Sequence, residues 1–108
     1  MGKWVLCTGI AGGLMLAGLA VAADKPDPAK GKEVFEQCSV CHNTATDEKK
    51  IGPSLKGLFK HATLKNGKPV NEANVKAFIN SGGNGMPSYM DLLSDTEKTN
   101  VIAYLKTL

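Results

Sequence analysis

Cys38, Cys41 and His42 are the residues of this chain whose types and spacing point most clearly to chemistry. Two cysteines three positions apart, followed at once by a histidine, form the motif to which c-type haem is attached. On a helical turn these three positions fall within an arc of about 100°. Both thiols can therefore form thioethers with the vinyl groups of one porphyrin, and the imidazole can bind its iron as the proximal ligand.

Two other kinds of site use the same residue types. A thioredoxin-like pair of cysteines belongs to a βαβ pattern, which is not visible in this sequence. A structural zinc site needs four ligands, and beyond Cys38, Cys41 and His42 the chain offers the distant His61, which matches no zinc-finger spacing. An export signal and a candidate sixth iron ligand favour the haem interpretation over both.

That candidate ligand is Met86, in the stretch Gly-Gly-Asn-Gly-Met-Pro at residues 82–87. The glycines allow the backbone to approach a flat group closely, and Pro87 biases Met86 toward an extended conformation. A thioether opposite a histidine-bound haem iron is the sixth ligand expected of an electron-transfer cytochrome. We therefore predict Met86 as the second axial ligand and assign Met90 to ordinary apolar packing.

Residues 1–23 have the features of a secretory signal peptide. Lys3 gives a positive start, residues 4–20 carry no charge, and small residues allow cleavage after Ala22 or Ala23. The alternative is an uncleaved anchor, because the run is nearly long enough to span a bilayer. We predict export to the periplasm of a single domain, residues 24–108, with no stable membrane insertion after cleavage.

The composition of residues 24–108 restricts the possible functions. Twelve lysines and ten acidic residues leave a net charge of about +2, which does not fit a nucleic-acid-binding protein. So small a domain, without tryptophan and with few aromatic residues, does not easily build a sufficient core. We therefore expect a bound macrocycle to supply the apolar centre and the apoprotein to be largely unfolded.

Capping residues and apolar periodicity predict helices over residues 29–37, 72–81 and 95–107, with a short turn around Leu58 and a tight turn at Asn66-Gly67. A glycine inside a helix costs about 1 kcal/mol relative to alanine. Gly31 therefore predicts the close approach of another helix, and the last helix has an apolar face to meet it, formed by Val101, Tyr104, Leu105 and Leu108.

Taken together, the chain resembles the class I cytochromes c, in particular the small soluble bacterial monohaem members. The resemblance covers nearly all of residues 24–108. It rests on motifs in a characteristic order: Gly31 and Phe35 before residues 38–42, then Gly52-Pro53, Gly85-Met86-Pro87 and residues 101–105. It implies an all-α cytochrome c fold, with three to four helices around one covalently bound haem and with the N- and C-terminal helices crossing near right angles.

The resemblance also implies roles for individual residues. It implies thioethers at Cys38 and Cys41 and iron held between His42 and Met86. It further implies a hydrogen bond from the His42 ring to the Pro53 carbonyl, which spacing alone leaves equal to an ordinary Gly-Pro turn. The mitochondrial branch has a tryptophan near a haem propionate, whereas residues 24–108 have none. The propionate partner therefore stays open among Tyr89, an asparagine and a lysine.

The function expected is a monomeric one-electron carrier, not an enzyme, that docks transiently with a protein donor and acceptor of a respiratory or related chain. Lys56, Lys60 and Lys65 are expected to steer an acidic partner, and His61 among them is expected at the surface rather than on iron. One rival is a haem enzyme or gas sensor with an open sixth position. The other is a thiol–disulfide or zinc module.

Overall fold

The computed structural model describes residues 25–108, so the predicted signal peptide, residues 1–23, lies outside the described residues. Within this range the chain forms three α-helices, α1 (Pro28–Phe35), α2 (Glu72–Ser81) and α3 (Asp95–Leu105), and one 3-10 turn, Leu58–Lys60. The remaining pairing consists of two isolated β-bridges. The predicted all-α class is confirmed. No helix of residues 25–108 has the length and apolar character needed to cross a bilayer.

Each helix begins directly after the capping residue that the sequence indicates. The Asp27 carboxylate accepts hydrogen bonds from the first backbone amides of α1, at 2.9 and 3.2 Å. Asn71 caps α2 in the same way. At α3, Ser94 and Glu97 form a reciprocal capping box, which satisfies two otherwise unpaired donors.

The predicted bounds of α2 are confirmed, whereas α1 and α3 each end two residues earlier than predicted. Beyond Phe35 and Leu105 some backbone amides bond to carbonyls three residues back, as in Cys38 to Phe35 (2.7 Å) and Thr107 to Tyr104 (2.9 Å). These tighter turns satisfy the last carbonyls of each helix without continuing it.

The close helix approach predicted at Gly31 is present where α1 crosses α3. Gly31 lies against the backbone carbonyl of Asn100 and the β-carbon of Tyr104. The rings of Phe35 and Tyr104 pack at a centroid distance of 5.3 Å. Asn100, which the sequence did not single out, is buried, and its side-chain oxygen accepts a hydrogen bond from the Asp27 amide at 2.9 Å. Asn100 thus fixes the start of α1 as well as the crossing.

The core is a single apolar cluster, and one side of it faces a large cavity. Its buried members are Phe35, Leu58, Val75, Val101, Ile102 and Leu105. All of them except Ile102 also line a large cavity. Three apolar side chains of α2 line the same cavity: Val75, Phe78 and Ile79. The crossed helices therefore form the floor of a site rather than a sealed interior.

Candidate haem site

The cavity has a volume of about 1090 Å³ and brings together residues far apart in sequence. Its lining includes all five predicted site residues: Cys38, Cys41, His42, Pro53 and Met86. Pockets for small molecules and cofactors commonly have volumes of about 300–1,000 Å³. The space is therefore large enough for a macrocycle, and its donor set of two thiols, one imidazole and one thioether fits a haem that is attached covalently.

The cysteine motif forms a further helical turn after α1. The Ser39 amide bonds to the Phe35 carbonyl at 3.0 Å, and the His42 amide bonds to the Cys38 carbonyl at 3.0 Å. This turn places Cys38, Cys41 and His42 along one wall of the cavity. Val40, between them, has 65% of its surface exposed. The helical geometry assumed from the spacing is confirmed.

The His42 ring is held by a backbone carbonyl. Its Nδ1 lies 2.7 Å from the Pro53 carbonyl oxygen, so the contact that spacing alone left open is present in the structure. Two backbone hydrogen bonds bracket Pro53: Gly52 to Cys41 at 2.7 Å and Leu55 to Asn43 at 2.8 Å. With the proton on Nδ1, the lone pair of Nε2 is free to bind a metal ion.

Gly52 makes this arrangement possible because there is no room for a side chain beside the ring. A β-carbon at residue 52 would lie 2.6 Å from Cε1 of His42 and 3.0 Å from Nδ1. The Gly-Pro pair is therefore more than an ordinary turn: the glycine lets the backbone approach the imidazole, and the proline supplies the acceptor.

Met86 lies far beyond the cysteine motif in the sequence and directly follows the two-residue loop of a hairpin. Gly83 and Met86 exchange backbone hydrogen bonds of 3.0 Å in both directions. The two central residues, Asn84 and Gly85, have positive φ angles of 54° and 92°, as a type I′ turn requires. Asn-Gly is the dipeptide typical of this turn, so the hairpin could have been predicted from the local sequence. The hairpin fixes the backbone that carries the thioether.

The chain after Met86 is tied to the end of α2. The Tyr89 amide bonds to the Ile79 carbonyl at 2.9 Å, and the Ser88 hydroxyl donates to the Asn80 carbonyl at 2.5 Å. Tyr89 lines the cavity. Burial raises the pKa of its phenol, and the nearby Cys38 and Cys41 add to the effect. The phenol therefore stays protonated beside the motif and is available as a donor.

The assignment of Met90 to apolar packing is wrong. Its side chain has 53% of its surface exposed, whereas the neighbouring Leu93 is 6% exposed and lines the cavity. The amides of Leu92 and Leu93 both bond to the Tyr89 carbonyl, at 3.2 and 3.3 Å. This turn directs Leu93 inward and Met90 outward.

The pKa of the Cys38 thiol argues against a reactive redox pair at Cys38 and Cys41. Both are free thiols of intermediate burial. Burial raises the pKa of the Cys38 thiol, and the neighbouring Cys41 raises it further. Reactive Cys-x-x-Cys pairs instead have a lowered thiol pKa. Among the described residues, no group of three or more histidine, cysteine or acidic side chains is placed to hold a metal ion.

Lysines surround part of the cavity, and they include two of the three that were expected to steer an acidic partner. Lys56 and Lys65 line it, together with Lys49, whereas Lys60 is exposed outside the lining. The only acidic residue in the lining is Asp47. His61 is exposed at the same cavity, in agreement with the surface position expected. The charged part of the lining is therefore mainly basic.

A short N-terminal helix that crosses the C-terminal helix beside a cavity, with a Cys-x-x-Cys-His turn and a methionine hairpin in its wall, defines a small class I monohaem cytochrome c. The chain belongs to the cytochrome c family whose model is described as "Cytochrome C oxidase, cbb3-type, subunit III", and that model matches residues 26–105. Members of this family bind covalent haem c with its iron, and Cys38 and Cys41 fit the attachment motif.

Individual relatives agree with this assignment. Cytochrome c2 of Blastochloris viridis is 39% identical over 67 residues, which cover 60% of this chain and 53% of that protein. The chain thus spans about half the length of that relative. Cytochrome c-554 of Methylosinus trichosporium is 33% identical, covering 82% of this chain and 79% of the relative. Among solved structures, cytochrome c6 of the diatom Phaeodactylum tricornutum aligns with a TM-score of 0.60 at 27% identity, over 75% of this chain and 92% of that one.

Proposed function

We propose that this protein is a one-electron carrier whose haem c is attached to Cys38 and Cys41 and has His42 and Met86 as axial ligands. The observation that carries the proposal is the single cavity lined by the motif turn, the Pro53 carbonyl and the Met86 hairpin. The relatives named cytochromes c2 and c6 are electron carriers, which supports the same function for this chain.

Each of these residues has a distinct task in the proposal. Thioethers at Cys38 and Cys41 fix the macrocycle against the motif turn, and the Pro53 carbonyl orients the His42 ring and makes it a stronger ligand. The bound haem supplies the reversible one-electron change at iron. Because His42 and Met86 then occupy both axial positions, no coordination site is left for a substrate. This favours a carrier over an enzyme.

The apolar floor of the cavity and the thioether ligand both favour the ferrous state of the haem iron. Its floor consists of buried apolar side chains, and a pocket that excludes water disfavours the extra positive charge of ferric iron. A thioether ligand favours the ferrous state as well. Both effects raise the reduction potential relative to an exposed haem with two histidine ligands.

The lysines in the lining support docking with acidic partners. Lys49, Lys56 and Lys65 are opposed by one acid, Asp47. Such an imbalance steers encounter with a partner of negative charge and orients it toward the cavity opening. We propose transient docking of a monomer with protein redox partners, since a carrier has to leave its donor before it can reach its acceptor.

The proposed site of action is the periplasm, after cleavage of residues 1–23 behind Ala22 or Ala23. The support is the uncharged run after Lys3 and the small residues before Asp24. Intact-mass measurement of the protein from a periplasmic extract tests this. The expected mass is that of a chain starting at Ala23 or Asp24 plus one haem, and a mass that retains residues 1–23 would contradict cleavage.

The axial ligands are tested with the substitution Met86→Ala and the matched control Met90→Ala, which removes an exposed methionine four residues away. The ferric wild-type protein should show the weak absorption of methionine-ligated haem at about 695 nm. Met86→Ala should lose this band and, when reduced, bind carbon monoxide rapidly, whereas Met90→Ala should keep the wild-type behaviour. A wild-type protein that lacks the band and binds carbon monoxide rapidly would instead favour a haem enzyme or gas sensor.

A further inference from the structure

Lys98 is a lysine whose burial the cytochrome function described above does not explain. It is the fourth residue of α3, at the end of the first turn, and has only 3% of its surface exposed. Its ammonium donates a hydrogen bond to the Met90 carbonyl at 3.0 Å. The nearest carboxylate, that of Asp95, is 4.0 Å away and largely exposed. The main partner of this buried charge is therefore a backbone carbonyl.

Neither helix formation nor apolar packing accounts for a lysine at this position. A cation near the N-terminus of a helix is disfavoured by the helix dipole. Burial of an ammonium group is costly unless it is well paired. A hydrogen bond from a charged donor is, however, roughly twice as strong as a neutral one. The contact with Met90 is thus the interaction that makes burial of Lys98 tolerable, and it ties Met90 to α3.

Met90 belongs to the Met86 segment, residues 86–93, which joins the hairpin to α3. The first half of this segment is held by α2 through Ser88 and Tyr89. In its second half, the Met90 side chain is exposed and contributes little packing. Lys98 supplies the polar contact between that half and α3. Two helices therefore restrain the segment: α2 holds Ser88 and Tyr89, and α3 holds Met90.

We propose that Lys98 is a positioning residue for Met86. By holding the Met90 carbonyl against α3, it restricts the movement of the Met86 segment and keeps the thioether directed at the iron. This inference rests on the proposed function, in which Met86 is an axial ligand. Without the Lys98 contact, the segment opens more easily and an external ligand competes better for the sixth position.

The test is a titration of the ferric holoprotein with imidazole, which competes with Met86 for the iron. Lys98→Met and Lys98→Gln both remove the ammonium at similar side-chain length, and Lys106→Met removes a lysine from the end of α3 that pairs with Glu72 instead. Both Lys98 variants should bind imidazole at least about tenfold more tightly than wild type. Lys106→Met should bind it as the wild type does.

Unfolding by guanidinium is measured on the same samples. Should either folded Lys98 variant be less stable yet bind imidazole with wild-type affinity, Lys98 is merely structural and the inference is wrong. Should the wild-type protein lack the band at about 695 nm, the proposed ligation fails first, and the inference with it. If neither variant folds, ¹⁵N spectra of wild-type lysine ammonium groups decide: exchange with water as fast at Lys98 as at Lys106 overturns the inference, and slow exchange at Lys98 supports it.

Discussion

Gly31 of α1 lies so close to Asn100 of α3 that a β-carbon on Gly31 would be 1.9 Å from the Asn100 carbonyl oxygen. No side chain fits in this space, and the obstructing atom is backbone, which cannot rotate away. The crossing of the first and last helices therefore depends on a residue that is intrinsically unfavourable in a helix. The crossing in turn places Phe35 and Val101 in the cavity wall.

Substitution Gly31→Ala should destabilise the holoprotein by about 2 kcal/mol or more. Alanine gains about 1 kcal/mol of helix propensity, but overpacking against a rigid neighbour commonly costs about 1–3 kcal/mol and sometimes more, and here the obstructing atom is backbone. Guanidinium unfolding of the holoprotein measures the difference. Lys30→Ala, at an exposed neighbouring position of α1, serves as the control and should change stability by less than about 0.5 kcal/mol. A Gly31→Ala protein as stable as wild type would show that α1 and α3 can move apart to admit the methyl group at no cost in stability.

Substitution Gly52→Ala should raise the reduction potential. The new β-carbon would press on Cε1 of His42, at 2.6 Å, and push the ring away from the Pro53 carbonyl. Because that hydrogen bond strengthens the imidazole as a ligand, its loss weakens donation to iron and disfavours the ferric state. Redox titration followed by absorption spectroscopy measures the shift.

Pro53→Ala is the matched control for this prediction. It keeps the carbonyl that accepts from His42, so the potential should stay at the wild-type value. It should still lower stability by about 0.4–1 kcal/mol, because alanine leaves the unfolded chain more freedom. Equal potentials for Gly52→Ala and wild type would mean that the ring is not displaced.

Without haem, the chain should lose its fixed tertiary structure. Without haem, the cavity of about 1090 Å³ would fill with water, and the apolar core would lose the packing that the macrocycle supplies, in a domain whose total stability is only about 5–15 kcal/mol. The double variant Cys38→Ala, Cys41→Ala, prepared without haem, should therefore lack the near-ultraviolet circular dichroism of the holoprotein. A native-like spectrum would show that the helices pack without the macrocycle.

Local signals in the sequence predicted much of this fold. Capping residues such as Asn71 and Ser94 fix helix starts through side-chain contacts only three residues long, and the starts of α2 and α3 were predicted correctly. Gly31 was informative because a glycine inside a helix needs a packing reason. The helix ends were less predictable, since the change to tighter turns after Phe35 and Leu105 leaves no comparable mark in the sequence.

In the candidate site, too, the features with a local sequence signal were predictable and those that depend on distant residues were not. The cysteine motif and Met86 were found from residue type and spacing, and all of them line one cavity. Lys98 and Asn100 were missed because charged and amide side chains are expected at the surface, and their partners lie 8 and 73 residues away. Their roles depend on where a distant backbone carbonyl or amide comes to lie, which no local pattern encodes.

Finally, the basic lining should make electron transfer depend on the charge of the reaction partner. Ferricyanide, an anion, should oxidise the reduced protein more slowly as ionic strength rises, whereas a cationic cobalt(III) phenanthroline complex should react faster, because salt screens attraction and repulsion alike. Lys56→Glu should slow the reaction with ferricyanide roughly twofold or more at low salt. Lys30→Glu makes the same charge change on α1, outside the cavity lining, and should have a smaller effect. Stopped-flow absorption measures both rates, and equal rates for the two variants would show that overall charge, not its placement around the cavity, governs the encounter.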